Sequence, residues 1–246
     1  MLSLRYTTKF KLMKTIKIIS FSLLIIGLHS CKKESFIGVN GKGSNVTEVI
    51  TYKSFAKIDL AFDADVLYTQ DSIFKIEISA QSNIQDVIET EVSKGVLTFK
   101  ANRKLWHHNP IVITVHSPEI KGFFMSGSGN VYVQNPIQTP SIDLNVSGSG
   151  GISIPFLITD QLYTSVSGSG KIKVEDGSSK NQYIDISGSG NIDFLNVKSN
   201  KSNISVSGSG DVKVWATEEL SIAISGSGKV SYKGTPTMNT NISGSG

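Results

Sequence analysis

Asp63 and Asp65 stand one residue apart. Glycoside cleavage needs two convergent carboxyl groups, so this pair could carry acid–base work. Both sit near a turn, however, where aspartate is common because it bonds its own backbone, and turn chemistry is the expected role. Trp106-His107-His108-Asn109-Pro110 is the next distinctive segment. Adjacent histidines on a strand point to opposite faces and do not chelate a metal. Only His29 and His116 stand elsewhere, so an exposed loop is expected. Trp106 and Trp215 could stack on sugars, with packing the expected role for both. Seven Ser-Gly-Ser-Gly copies could suggest a phosphate cradle, but such a loop needs a helix N-terminus behind it. A calcium-binding β-roll needs an aspartate at the sixth position of each copy. Val131, Ile152, Ile172, Ile192, Val212 and Val230 stand there instead. The residue two before each copy from the second onward is Asn145, Ser165, Asp185, Ser205, Ala223 or Asn241, which offers one acid. No catalytic series, metal site or cofactor is expected, and the chain reads as a non-enzyme.

Cys31 is the only cysteine, which excludes an intrachain disulfide. Before it come a basic stretch, Lys14-Thr15-Ile16-Lys17, and an apolar run from Ile18 to Leu28. That run is too short to span a bilayer and reads as a signal peptide over residues 1–30; Met13 could start it as well as Met1. Leu28-His29-Ser30-Cys31 resembles the lipobox of bacterial lipoproteins, which implies lipid attachment at Cys31 and a membrane partner through that lipid. Five of the 24 basic residues and none of the 20 acidic ones lie in residues 1–30. The remainder is therefore nearly neutral, and no nucleic-acid partner is indicated. Residues 31–49 are polar and glycine-rich and read as a flexible tether.

The elements that must position everything else follow from the repeat. Ser-Gly-Ser-Gly begins at residues 126, 147, 167, 187, 207, 225 and 243. A linker would not be cut into four-residue pieces at this spacing. The residue before each copy is Met125, Val146, Val166, Ile186, Val206, Ile224 or Ile242, and the apolar positions alternate with polar ones on both flanks. Period two with one apolar face means half-buried strands. Each unit reads as strand, corner, strand and polar return loop, such as residues 175–181. Equivalent residues meet only if the units stack as a solenoid, ~4.8 Å per step. Lys173, Asp193 and Lys213 then stack with alternating sign. The fold class is all-β, a two-sided parallel β-helix with a corner about every 20 residues. The structural turns fall at Gly127, Gly129, Gly148, Gly150, Gly168, Gly170, Gly188, Gly190, Gly208, Gly210, Gly226, Gly228, Gly244 and Gly246.

Residues 50–246 form one β-helix domain on this reading, with a non-repetitive part over 50–120 and the repeats over 121–246. Phe55–Leu60, Val66–Thr69, Phe74–Ser79, Val96–Lys100 and Ile111–His116 read as strands that cap the N-terminal end of the stack. Asn83–Val92 reads as a helical turn or a long connection, and Lys94-Gly95 as a turn. Phe55–Ile58, Asp65-Val66-Leu67-Tyr68, Gln70-Asp71, Gly95-Val96-Leu97, Ser117-Pro118-Glu119-Ile120 and the Ser-Gly-Ser-Gly series together resemble the DUF2807 family, "putative auto-transporter adhesin, head GIN domain", over about residues 50–246. The resemblance implies a right-handed β-helix similar to pectin lyases, with adhesion as the role.

The expected function is therefore a cell-envelope, outer-membrane lipoprotein whose β-helix is an adhesive or binding surface. Its ligand would be a glycan or a surface protein. The alternative is a carbohydrate-active enzyme or polysaccharide-binding protein. Residues 239–242 should form the last strand, and its edge implies either end-to-end self-association or a longer native chain.

Overall fold

Alternation of β-branched and polar residues carries through to strands almost everywhere in a computed structural model that describes residues 38–52 and 54–246. Cys31 and the expected signal peptide lie outside the described residues. The strands are β1 (Asn45–Ile50), β2 (Lys57–Leu60), β3 (Asp65–Gln70), β4 (Lys75–Gln81), β5 (Ile88–Ser93), β6 (Val96–Ala101), β7 (Val112–Ser117), β8 (Gly122–Met125) and β9 (Asn130–Val133). They continue as β10 (Ile137–Val146), β11 (Gly151–Ile154), β12 (Leu157–Gly168), β13 (Lys171–Val174), β14 (Gly177–Gly188), β15 (Asn191–Gly208), β16 (Asp211–Gly226), β17 (Lys229–Lys233) and β18 (Thr237–Gly244). One helical turn, α1 (Ser82–Gln85), interrupts them.

The repeats wind into a parallel β-solenoid. Val146 pairs with Val166, Ile186 with Val206, and Val206 with Ile224. On the other flank Ile152 pairs with Ile172, Ile172 with Ile192, and Ile192 with Val212. All of these are at most 5% exposed, so the inward set read from the alternation is the core.

The expected two-sided cross-section gains a third side. Within β10 the buried residues are Ile137 and Thr139, then Ile142, Leu144 and Val146. The alternation skips a beat at Pro140-Ser141, which marks a corner. The short side so created runs through Ile137–Thr139, Leu157–Thr159, Gly177–Ser179 and Val197–Ser199, each paired with the next. The segment expected as a polar return loop, 175–181, therefore contains a ladder strand. Its inward side chains are small and polar, so hydropathy gave no signal. Thr139 and Thr159 donate to the carbonyls of Ser141 and Gln161. Ser199 meets Ser202 at 2.8 Å, and Ser202 meets buried Gln182 at 3.0 Å. Such partners are what make buried polar groups tolerable.

The non-repetitive part joins the stack out of chain order. β2 and β3 lie between the coil of β6 and β7 on one side and that of β8 and β9 on the other. The outermost coil in this direction is thus β6–β7, not the first strands of the chain. Ser117-Pro118-Glu119-Ile120 carries the chain across. The hydroxyl of Tyr68 lies 3.0 Å from Ser117 Oγ, which donates to the Glu119 carbonyl at 2.8 Å. Burial pushes the Tyr68 hydroxyl up to about 12. Antiparallel β1, β4 and β5 edge this end.

Residues 39–49, expected as part of the tether, belong to the domain instead. Val39 donates to Lys104 and Gly41 to His107, at 2.8 and 2.7 Å, and β1 pairs with β4 from Asn45 onward. The polar groups that suggested a solvated segment are bonded to the domain, and Val39–Gly246 forms one compact unit. At the other end β18 pairs with β16 on one flank. Its inward residues Met238 and Ile242 are 42% and 51% exposed.

Candidate binding face

The long side of each coil, ending at Ser-Gly-Ser-Gly, turns two columns of side chains outward. One holds the residues two before each corner: Asn145, Ser165, Asp185, Ser205, Ala223 and Asn241, in mutual register. The other, two residues earlier, holds Asp143, Tyr163, Tyr183, Asn203, Ser221 and Asn239. Between them runs an open groove of about 550 Å³. The parallel register puts Tyr163 directly beside Tyr183, and their rings stack at 4.9 Å with 10° between the planes. Both remain about two-fifths exposed. Beyond them the column drops to Asn203 and Ser221, so the ring pair stands as a wall over a floor of small residues.

Apart from Asp185, charge on and beside this face is paired off. Lys57 bonds Asp143 at 2.7 Å near one end. Lys201 bonds Glu219 at 3.0 Å along the flank, and that bond holds its ammonium above the usual lysine range. Asp185 is the one carboxylate among the groove's lining residues. Acid–base hydrolysis requires a partner carboxyl within about 5–9.5 Å, and the lining supplies no second one.

The other singled-out residues scatter. Asp65 accepts from Asn130 at 3.0 Å on the flank that follows the corner, and Asp63 is exposed at the corner between β2 and β3. His107 faces Asn40 at 3.3 Å, His108 the Asn109 carbonyl at 2.7 Å, and His116 lies 3.3 Å from Asp71. Among the described residues no three His, Cys, Asp or Glu side chains cluster as metal ligands would. Trp215 is flanked by Lys198 and Lys233, at 6.0 and 3.7 Å from its ring. Trp106 is 47% exposed on the loop that receives Val39.

The corner glycines form two columns. A Cβ on Gly188 would meet the Gly168 carbonyl oxygen at 2.6 Å, and one on Gly190 would meet the Val166 side chain and the Gly170 carbonyl. The first contact recurs along Gly148, Gly168, Gly188, Gly208, Gly226 and Gly244, and the carbonyl contact along Gly150, Gly170, Gly190, Gly210, Gly228 and Gly246; at the head of the two columns Gly127 and Gly129 would meet the Phe62 and Ala64 carbonyls instead. In the later copies the first Ser-Gly continues the strand, and the bend falls at the second serine. Gly188 has φ 127°, a value L side chains rarely adopt.

Tyr163 and Tyr183 escaped the sequence reading. Counting four residues back from each corner, instead of two, would have placed them side by side.

Comparison with known proteins accords with this architecture. No curated protein matches the chain. A "putative adhesin" from Bacteroides fragilis NCTC 9343 superposes with a TM-score of 0.77 at 27% identity, covering 84% of this chain and 96% of that one. A "putative lipid binding protein" from Parabacteroides distasonis ATCC 8503 has a TM-score of 0.70 at 25% identity, over 85% of this chain and 98% of its own. A "putative adhesin" from Parabacteroides merdae ATCC 43184, 22% identical with a TM-score of 0.71 over 85% of this chain and 97% of that one, shares the fold. The DUF2807 family, "Putative auto-transporter adhesin, head GIN domain", matches residues 54–236. With its solenoid, its crossover at residues 117–120 and this match over most of its length, the chain belongs to the DUF2807 family.

Proposed function

We propose that this protein is a cell-envelope lipoprotein, held to the outer membrane through Cys31, whose β-helix serves as a non-catalytic adhesive or binding face. The observation that carries the reading is the long outward face. Its side chains repeat in register over six coils, with paired charges around a groove lined by a single carboxylate. A rigid ladder of this kind presents many weak contacts at fixed spacing, which suits adhesion better than chemistry on one bond. Among the described residues no helix is long and apolar enough to cross a membrane, so a lipid on Cys31 would supply the anchor. Three measurements test the reading. Beads coated with the protein should be retained on mucin or on bacterial cells. The same protein should release no reducing ends from polysaccharides. Cys31→Ala should move the protein out of the detergent phase. Steady release of reducing ends would favour the carbohydrate-active alternative, and unchanged detergent partitioning would remove the lipid anchor.

A further inference from the structure

The groove over β10, β12, β14, β15, β16 and β18 has three properties that narrow what it can hold. First, the Tyr163–Tyr183 stack exposes flat, amphipathic ring surface, which contributes contact area at small entropic cost. Second, its amides are uncommitted. Elsewhere the side-chain amides of Asn130, Asn135, Asn196 and Asn200 bond Asp65, the Gln70 carbonyl, the Glu175 carbonyl and Glu218. Among the described residues those of Asn145, Asn203, Asn239 and Asn241 have no protein partner. Each offers an acceptor and two donors to whatever lies in the groove. Third, the lining contains no cation, and its one anion is Asp185.

A polyanion finds no counter-charge here. An extended peptide would seek a free strand edge, whereas this groove lies on a sheet face whose backbone groups are spent in the ladders. A sugar fits: apolar C–H faces pack on aromatic rings, and neighbouring hydroxyls pair with an amide's donor and acceptor. From Asn145 to Asn241 the floor runs five coil steps, or about 24 Å, long enough for several sugar rings. We propose that the groove binds a neutral, extended glycan. A sugar ring packs against the Tyr163–Tyr183 stack, and its hydroxyls bond Asp185 and the amides of Asn145 and Asn203. This rests on the reading of the long side as the adhesive face and names its ligand class.

The test uses the chain from residue 32, which contains the whole compact unit Val39–Gly246. It is titrated with β-glucan, mannan and galactan oligosaccharides as neutral probes, and with polygalacturonate and heparin as anionic ones. At least one neutral probe should bind with Kd below about 1 mM. Tyr163→Ala/Tyr183→Ala and Asn203→Ala should each weaken it at least about tenfold without lowering Tm. Lys173→Ala, on the β11–β13 flank past the corner, should leave it unchanged. No neutral probe below that Kd, binding of the anionic probes alone, or affinity indifferent to the tyrosines and Asn203 would overturn the proposal. Beads that still adhere while every neutral probe fails would sink the glycan assignment and leave the adhesive reading standing.

Discussion

Ile192 and Asp193 are chain neighbours with opposite environments. Ile192 is 1% exposed between Ile172 and Val212. Asp193 faces outward, accepts from the Leu195 amide at 3.2 Å and lies 3.4 Å from the Lys213 ammonium. Ile192→Asp should bury an unpaired charge and cost several kcal/mol, about 3 or more. Asp193→Ser, which loses an exposed pair and one local bond, should cost about 1 kcal/mol or less. Urea melts check the contrast; equal losses would mean the inside and outside are misassigned. The expected Lys173–Asp193–Lys213 ladder is only partly an ion-pair ladder. Lys173 bonds Glu175, one residue past the end of its strand, at 2.7 Å. That hydrogen bond, helped by the fields of Glu175 and Asp193, holds its ammonium above the usual lysine range.

At the scale of elements, the hairpin joining β5 to β6 turns on Lys94-Gly95, with φ of 50° and 77°. Two positive values in a two-residue loop give the primed turn that matches strand twist. A Cβ on Gly95 would touch nothing within 4 Å, so a substitution there tests backbone conformation alone. Gly95→Val should cost ~1–2 kcal/mol, and Gly95→Asn clearly less, because asparagine tolerates this region; thermal melts of the two variants would show it. Lys94-Gly95 was legible as a turn, as were the inward ladders, because alternation and turn residues act over a few neighbours. The short side was not legible, since its inward Thr139, Thr159, Ser179 and Ser199 are polar, and the hydrogen bonds that satisfy Thr139, Thr159 and Ser199 leave no mark in the hydropathy pattern. Nor was the order of the coils. Local pattern says that β2 and β6 are strands, but their adjacency depends on the crossover at Pro118, 21 residues beyond Leu97 in the chain.

For the whole molecule, stacking converts a sequence repeat into a surface repeat. A step of about twenty residues along the chain becomes ~4.8 Å in space, so residues far apart in sequence, such as Asn145 and Asn241, line one groove. The apolar half of each strand supplies the core and leaves the outward half free to vary, which is where the column changes from Asp143 to the Tyr163–Tyr183 pair and then to Asn203. If the long side is the working surface, changes there should matter and changes on the flank past the corner should not. The most direct measurement is retention of protein-coated beads on mucin or bacterial cells, comparing Ser205→Arg in the groove floor with Lys173→Glu on the β11–β13 flank past the corner. Both positions face outward, and both variants should keep the wild-type Tm. Ser205→Arg is expected to abolish retention while Lys173→Glu retains it in full. Equal retention by the two variants, or a loss confined to Lys173→Glu, would contradict the assignment of the adhesive face.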